Sequence, residues 1–174
     1  MPRAMDLSKY LRDVPDFPKP GILFKDITPL LASPAAMQET IARFARLDVG
    51  RVDKVAAIES RGFLFGAPLA MKLGVGFVPI RKPGKLPWKT NRVEYVLEYG
   101  KDAVEIHQDA VKLGERVLLV DDLLATGGTM GAACRLIESC GGTVAACAFV
   151  VELGFLPGRQ ALGSHRVESL VAIR

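Results

Sequence analysis

Short apolar runs recur along the chain, and stretches with helical spacing separate them. Val55-Ala56-Ala57-Ile58, Val75–Ile80, Val117–Val120, Val144–Val151 and Val167–Ile173 lack strict polar alternation, as expected of strands covered by helices on both faces of a sheet. Between them, Ser33 and Pro34 suit an N-cap and a first helical residue, and Met37, Ile41, Phe44 and Leu47 form one stripe of the helix that follows. A second helix starts after Glu59-Ser60-Arg61-Gly62, runs through about Lys72 and stops at Gly74. A third occupies about 128–139 and ends at Gly141-Gly142, and Pro157–Leu162 suits a short fourth. Val93–Tyr99 alternates partly with period two and Val104–Ile106 resumes it, which predicts an antiparallel pair. Residues 1–31 are irregular, because Pro15, Pro18, Pro20 and Gly21 prevent a long regular element. The repeated strand–helix–strand units predict an α/β fold with a central, mostly parallel sheet and right-handed crossovers. We expect one domain over 1–174, with 1–31 folding as a hood over the carboxyl rim of the sheet and 81–103 forming a flexible loop and hairpin.

Composition bounds this picture without changing it. A chain of 174 residues with 49% hydrophobic content can bury a sizeable core. Its 11 prolines and 17 glycines follow no period, which argues against collagen-like or disordered chains. The net charge of +4 suits an ordinary solvated surface or an anionic ligand, and does not call for a nucleic acid. Cys134, Cys140 and Cys147 form no Cys-x-x-Cys pair and are expected to be reduced packing residues. With no secretory-like N-terminal segment and no apolar run long enough to span a bilayer, we expect a cytoplasmic protein without a membrane partner.

The chemistry concentrates in 117–130. There an apolar strand delivers Asp121 and Asp122 to its carboxyl end, Ala125-Thr126-Gly127-Gly128-Thr129 follows, and a helical pattern then begins. Ligands of open α/β sheets bind beyond the carboxyl ends of the strands. Two carboxylates there can accept hydrogen bonds from adjacent sugar hydroxyls or help to position Mg²⁺, or they can simply meet solvent or helix amides. The small-residue loop offers two hydroxyls and, at the start of the helix, amides able to cradle a phosphate. Neither the Gly-x-x-x-x-Gly-Lys-Ser/Thr loop nor the Gly-x-Gly-x-x-Gly fingerprint of nucleotide sites occurs, so a sugar phosphate suits the segment best. Arg61, at a strand end before Gly62, suits either phosphate contact or a surface ion pair. Glu59 can orient Arg61 or touch a ligand. The basic stretch 81–92, with Arg81, Lys82, Lys85, Lys89, Arg92 and Trp88, is a solvated excursion, a nucleic-acid patch or a loop that closes over substrate. His107 and His165 are read as structural or surface residues.

The whole stretch 117–129 resembles the phosphoribosyl diphosphate motif of type I phosphoribosyltransferases. Residues 15–29, Glu59-Ser60-Arg61-Gly62-Phe63, 81–87 and Leu97-Glu98-Tyr99-Gly100 resemble, in order, signatures of the adenine phosphoribosyltransferase family. The resemblance implies the type I phosphoribosyltransferase fold, a Mg²⁺ requirement and a homodimer. The implied activity is transfer to adenine from 5-phosphoribosyl 1-diphosphate, giving AMP and pyrophosphate in purine salvage. Carried onto matching positions, it gives Asp121 and Asp122 the ribose hydroxyls, and Ala125, Thr126, Gly127, Gly128 and Thr129 the 5-phosphate. Arg61 and Lys85 receive the pyrophosphate, Leu23, Phe24 and Lys25 the adenine, and Glu98 the handling of its proton. Mg²⁺ is expected on substrate oxygens and water, with its direct protein ligands left open. Another purine as acceptor, or a regulator that senses phosphoribosyl diphosphate, remain the alternatives.

Overall fold

Closely spaced prolines limit the N-terminal residues to short elements, and short elements form there. In the computed structural model, which describes residues 5–97 and 100–174, the chain falls into two compact units, residues 1–46 and 47–174. The first unit opens with a 3-10 turn at Leu7–Tyr10, capped by the Asp6 side chain, which accepts from the Ser8 N–H. Strands β1 (Arg12–Pro15) and β2 (Leu23–Asp26) then pair antiparallel, Arg12 opposite Asp26 and Pro15 opposite Leu23. An Arg12–Asp26 ion pair at 2.7 Å ties one end of this hairpin, and at the other the Gly21 N–H donates to Asp16 at 2.8 Å.

Helix α1 (Thr28–Ala32) leads into α2 (Pro34–Ala45), where Ser33 caps as expected: its hydroxyl accepts from the Ala36 N–H at 3.2 Å and Pro34 takes the first turn. The buried face of α2 is Ala36, Thr40 and Phe44, with Met37 and Ile41 half-buried, one position away from the expected stripe. Thr40 can join that face because its hydroxyl donates to the Ala36 carbonyl at 2.8 Å, leaving no unsatisfied polar group. Leu47 lies past the helix end.

The second unit runs β3 (Lys54–Ile58), α3 (Phe63–Leu73), β4 (Gly76–Ile80), β5 (Thr90–Val96), β6 (Lys101–His107), β7 (Arg116–Leu124), α4 (Gly128–Ser139), β8 (Thr143–Leu153), α5 (Gly158–Ala161) and β9 (Val167–Ile173). Five strands form one parallel sheet in the order β4-β3-β7-β8-β9, the predicted architecture. Gly74 ends α3 in the left-handed conformation, as its position foretold. Ala57 meets Gly66 of α3, whereas Ala56, Ile58, Val117 and Leu119 join the core that includes Ala133, Leu136 and Ile137 of α4. Burial on both faces explains the missing alternation. Strands β5 and β6 form the expected antiparallel pair, in register from Thr90 opposite His107 to Val96 opposite Lys101. Among the described residues no helix is long and apolar enough to cross a membrane.

The chain proceeds from β3 outward to β4, whereas β7, β8 and β9 extend the other way. Strand order thus reverses between β3 and β7, and the loops leaving their carboxyl ends part to open a crevice.

Candidate active site

A cavity of about 390 Å³ occupies that crevice, walled by residues 58–61 after β3 and 121–130 at the end of β7. The turn after β3 folds back tightly: a Cβ at Gly62 would lie 2.6 Å from the Ile58 carbonyl and 3.0 Å from Asp121 Oδ1. Only glycine fits there. Strand β7 does not stop before the acid pair, as its apolar run suggested; it continues through it, because Leu123 and Leu124 still pair with Val151 and Glu152 of β8. Asp121 Oδ1 accepts the Asp122 N–H at 2.9 Å. Burial, and then the charge of Asp122, push the Asp121 carboxyl well above the usual carboxylate range. The buried Asp122 pairs with Arg61 Nε at 2.7 Å, while Arg61 remains about half exposed.

Ala125 to Thr129 follow directly. Gly127 caps α4 from the left-handed region (φ 84°), and among the described residues no side chain caps the first amides of the helix. Residues 125–129 all line the cavity, so the start of α4, with its dipole, faces a space that carries a built-in preference for an anion.

The basic wall differs from expectation. Lys82, two residues beyond the end of β4, lines the cavity. It donates to the Tyr95 hydroxyl at 2.8 Å and to Asp102, and the Tyr95 hydroxyl donates to Asp102 at 3.1 Å. Burial opposes the charge on Lys82, but these partners outweigh it and raise its pKa. Lys85 is exposed and outside the cavity wall, its carbonyl accepting from Arg81 at 3.2 Å. Lys82 could have been singled out by the signal that marked Arg61, a basic residue just past a strand's carboxyl end. Glu59 is engaged with Arg81 at 3.2 Å and the Lys82 N–H at 2.6 Å, while Arg61 goes to Asp122. Burial opposes charge on Glu59, but these donors outweigh it and hold its carboxyl below the usual range.

Three of the remaining candidates share one strand. Leu23, Phe24 and Lys25 lie on β2 of the first unit: Leu23 is 51% exposed, Phe24 packs edge-on to Phe17 with centroids 5.1 Å apart, and Lys25 pairs with Asp13 at 2.5 Å. Glu98 lies outside the described residues. His107 accepts from the Trp88 N–H at 3.2 Å, and His165 bridges the Leu162 carbonyl and Glu138. Among the described residues no three His, Cys, Asp or Glu side chains converge as a metal cage.

Comparison with known proteins places this site in a family. The family description of the phosphoribosyl transferase domain matches residues 27–160. An adenine phosphoribosyltransferase from Methylococcus capsulatus is 58% identical over 166 residues, covering 95% of this chain and 97% of that protein. One from Nocardioides is 57% identical over 180 residues, covering 99% and 97%. The crystal structure of adenine phosphoribosyltransferase from Thermoanaerobacter pseudethanolicus superposes with a TM-score of 0.93 at 54% identity, covering 96% of this chain and 98% of that one. The Saccharomyces cerevisiae enzyme, solved with an imino-altritol bisphosphate and adenine, gives 0.86 at 41% identity, covering 94% and 96%. With a small-residue loop opening a helix and an acid pair at the switch point of the matched sheet, the chain belongs to the type I phosphoribosyltransferases, in the adenine phosphoribosyltransferase family.

Proposed function

We propose that the chain transfers the 5-phosphoribosyl group of 5-phosphoribosyl 1-diphosphate to adenine, forming AMP and pyrophosphate in cytoplasmic purine salvage. The observation that carries this reading is the cavity itself, where the uncapped start of α4, two adjacent carboxylates and Arg61 meet in one crevice. The amides and hydroxyls of residues 125–129 hold the 5-phosphate, and Asp121 and Asp122 accept from the ribose 2- and 3-hydroxyls. The bond from C1 to the pyrophosphate oxygen breaks as adenine N9 bonds to C1, and pyrophosphate leaves with the electron pair. Arg61, with Lys82 and Lys85, meets the negative charge that grows on it. The N9 proton passes to a base, for which Glu98 is the proposed acceptor. Leu23, Phe24 and Lys25 are the proposed readers of adenine.

The donor set fits a Mg²⁺ carried in on substrate. Three carboxylates line the cavity, and with Glu59 engaged by Arg81 and the Lys82 N–H, Asp121 and Asp122 would be the side chains to hold a Mg²⁺ that arrives with phosphate oxygens and water. When bound, the ion supplies positive charge to the departing pyrophosphate. A homodimer belongs to the same reading and is checked by mass in solution.

The test is to incubate the purified chain with Mg²⁺, phosphoribosyl diphosphate and adenine, hypoxanthine or guanine separately, and to identify products by mass. AMP from adenine alone is expected. A nucleotide from another base would reassign the acceptor, and no nucleotide from any base would favour a sensor.

A further inference from the structure

A buried carboxylate stands on the sheet strand next to the one that carries the acid pair, and catalysis leaves it unused. Glu152, near the end of β8, is 7% exposed, and both of its oxygens are occupied. Arg159 donates from Nε at 2.9 Å and from Nη2 at 2.6 Å, one nitrogen to each oxygen, and Ser169 of β9 adds a hydroxyl bond at 2.6 Å. The third guanidinium nitrogen donates to the Val167 carbonyl at 2.9 Å. So engaged, Glu152 has little capacity left for a ligand.

Arg159 belongs to α5, a single four-residue turn without a side-chain cap, too short to hold its own shape. Yet the phosphate loop rests on this turn, backbone against backbone. A Cβ at Gly158 would lie 2.3 Å from the Ala125 carbonyl, and one at Gly127 would lie 2.6 Å from the Gly158 carbonyl. Contacts this close transmit any displacement of α5 to residues 125–127. An exposed ion pair contributes little to stability, but a planar fork on a buried carboxylate fixes orientation as well as distance.

We propose that Glu152 and Arg159 are positioning residues that brace α5 against β8 and β9 and thereby set the 5-phosphate loop to the spacing its ligand needs. The inference rests on the proposed function and deepens it. It is tested with Arg159→Lys, which keeps the charge but loses the fork, and Glu152→Gln, which keeps the shape but loses the charge. Ser169→Ala serves as a milder variant if either fails to fold, since it removes one bond and leaves the fork. The wild type and each folded variant are compared by calorimetric titration with phosphoribosyl diphosphate and Mg²⁺ and by steady-state kinetics. A loosened phosphate site raises KM for phosphoribosyl diphosphate by about tenfold in the first two variants and by about twofold in Ser169→Ala, with kcat at saturation and KM for adenine both held within about twofold. A purely structural role would lower the active fraction, and so kcat, and leave both KM values alone. That result, or unchanged phosphoribosyl diphosphate affinity in folded variants beside a wild type that binds it, overturns the brace alone. A wild type that does not bind the compound removes the proposed function and the brace together.

Discussion

At Asp121 a carboxylate is held beside a second carboxylate, 3.0 Å from where a Gly62 Cβ would stand, and its affinity for a proton rises, by burial first and by the charge of Asp122 next. Between the ordinary carboxylate range and that raised value, the folded chain binds more protons than the unfolded one, so this group costs stability as pH rises through the window. Asp121→Asn removes the charge and keeps an oxygen that can accept the Asp122 N–H. We expect the variant to melt above the wild type at neutral pH, by a margin that shrinks as pH falls. The gain should vanish near pH 4, about where an unperturbed carboxyl takes its proton. The same variant should bind phosphoribosyl diphosphate more weakly, because an amide offers ribose hydroxyls one acceptor oxygen where the carboxyl group has two. Melts from about pH 4 to about pH 8 check the linkage. A difference that does not change with pH would show that the Asp121 charge imposes no cost on folding.

Helix α2 begins at a cap that depends on one hydroxyl. Ser33→Ala removes the acceptor for the Ala36 N–H and should cost about 1 kcal/mol, lowering Tm by roughly 2–4 °C; an unchanged melt would mean that water satisfies the amide equally well. That cap was legible because it is local: a hydroxyl, a proline and the amide they serve lie within four residues. The αL end of α3 at Gly74 was legible for the same reason, and so was the crevice's acid pair, since each of its parts sits beside a strand end. What depends on a partner elsewhere in the chain was not. The run through Val120 gave no sign that β7 continues to Leu124, because the extension is decided by Val151 and Glu152 across the ladder. Nor did 1–31 announce the β1–β2 hairpin, whose strands are four residues each and hold through cross-strand pairs such as Arg12 with Asp26. Lys82 carried the same local signal as Arg61, a basic residue just past a strand end, but the resemblance pointed to Lys85, and the contacts of Lys82 with Tyr95 and Asp102, 13 and 20 residues away, were not legible.

Across the whole molecule 23 basic residues face 19 acidic ones, a net charge of +4 too small to draw anions by itself. Its distribution matters more. Five of the basic residues lie within 81–92, and acids already engage three of them: Glu59 with Arg81, Asp102 with Lys82 and Glu94 with Arg92. Lys85 and Lys89 are exposed, and they carry the field that an approaching anion meets. Phosphoribosyl diphosphate is strongly anionic and adenine is neutral, so the two substrates should respond differently to salt. Raising KCl from about 0.1 M to about 1 M shortens the Debye length from about 10 Å to about 3 Å. We expect KM for phosphoribosyl diphosphate to rise by about threefold to tenfold over that range, with KM for adenine within about twofold. A Lys85→Gln, Lys89→Gln double variant should begin with the higher KM and show a flatter salt dependence. Equal salt dependence for both substrates would place the effect on the fold rather than on the basic loop, and an unflattened slope in the double variant would assign the field to Arg61 and the loop amides within the crevice.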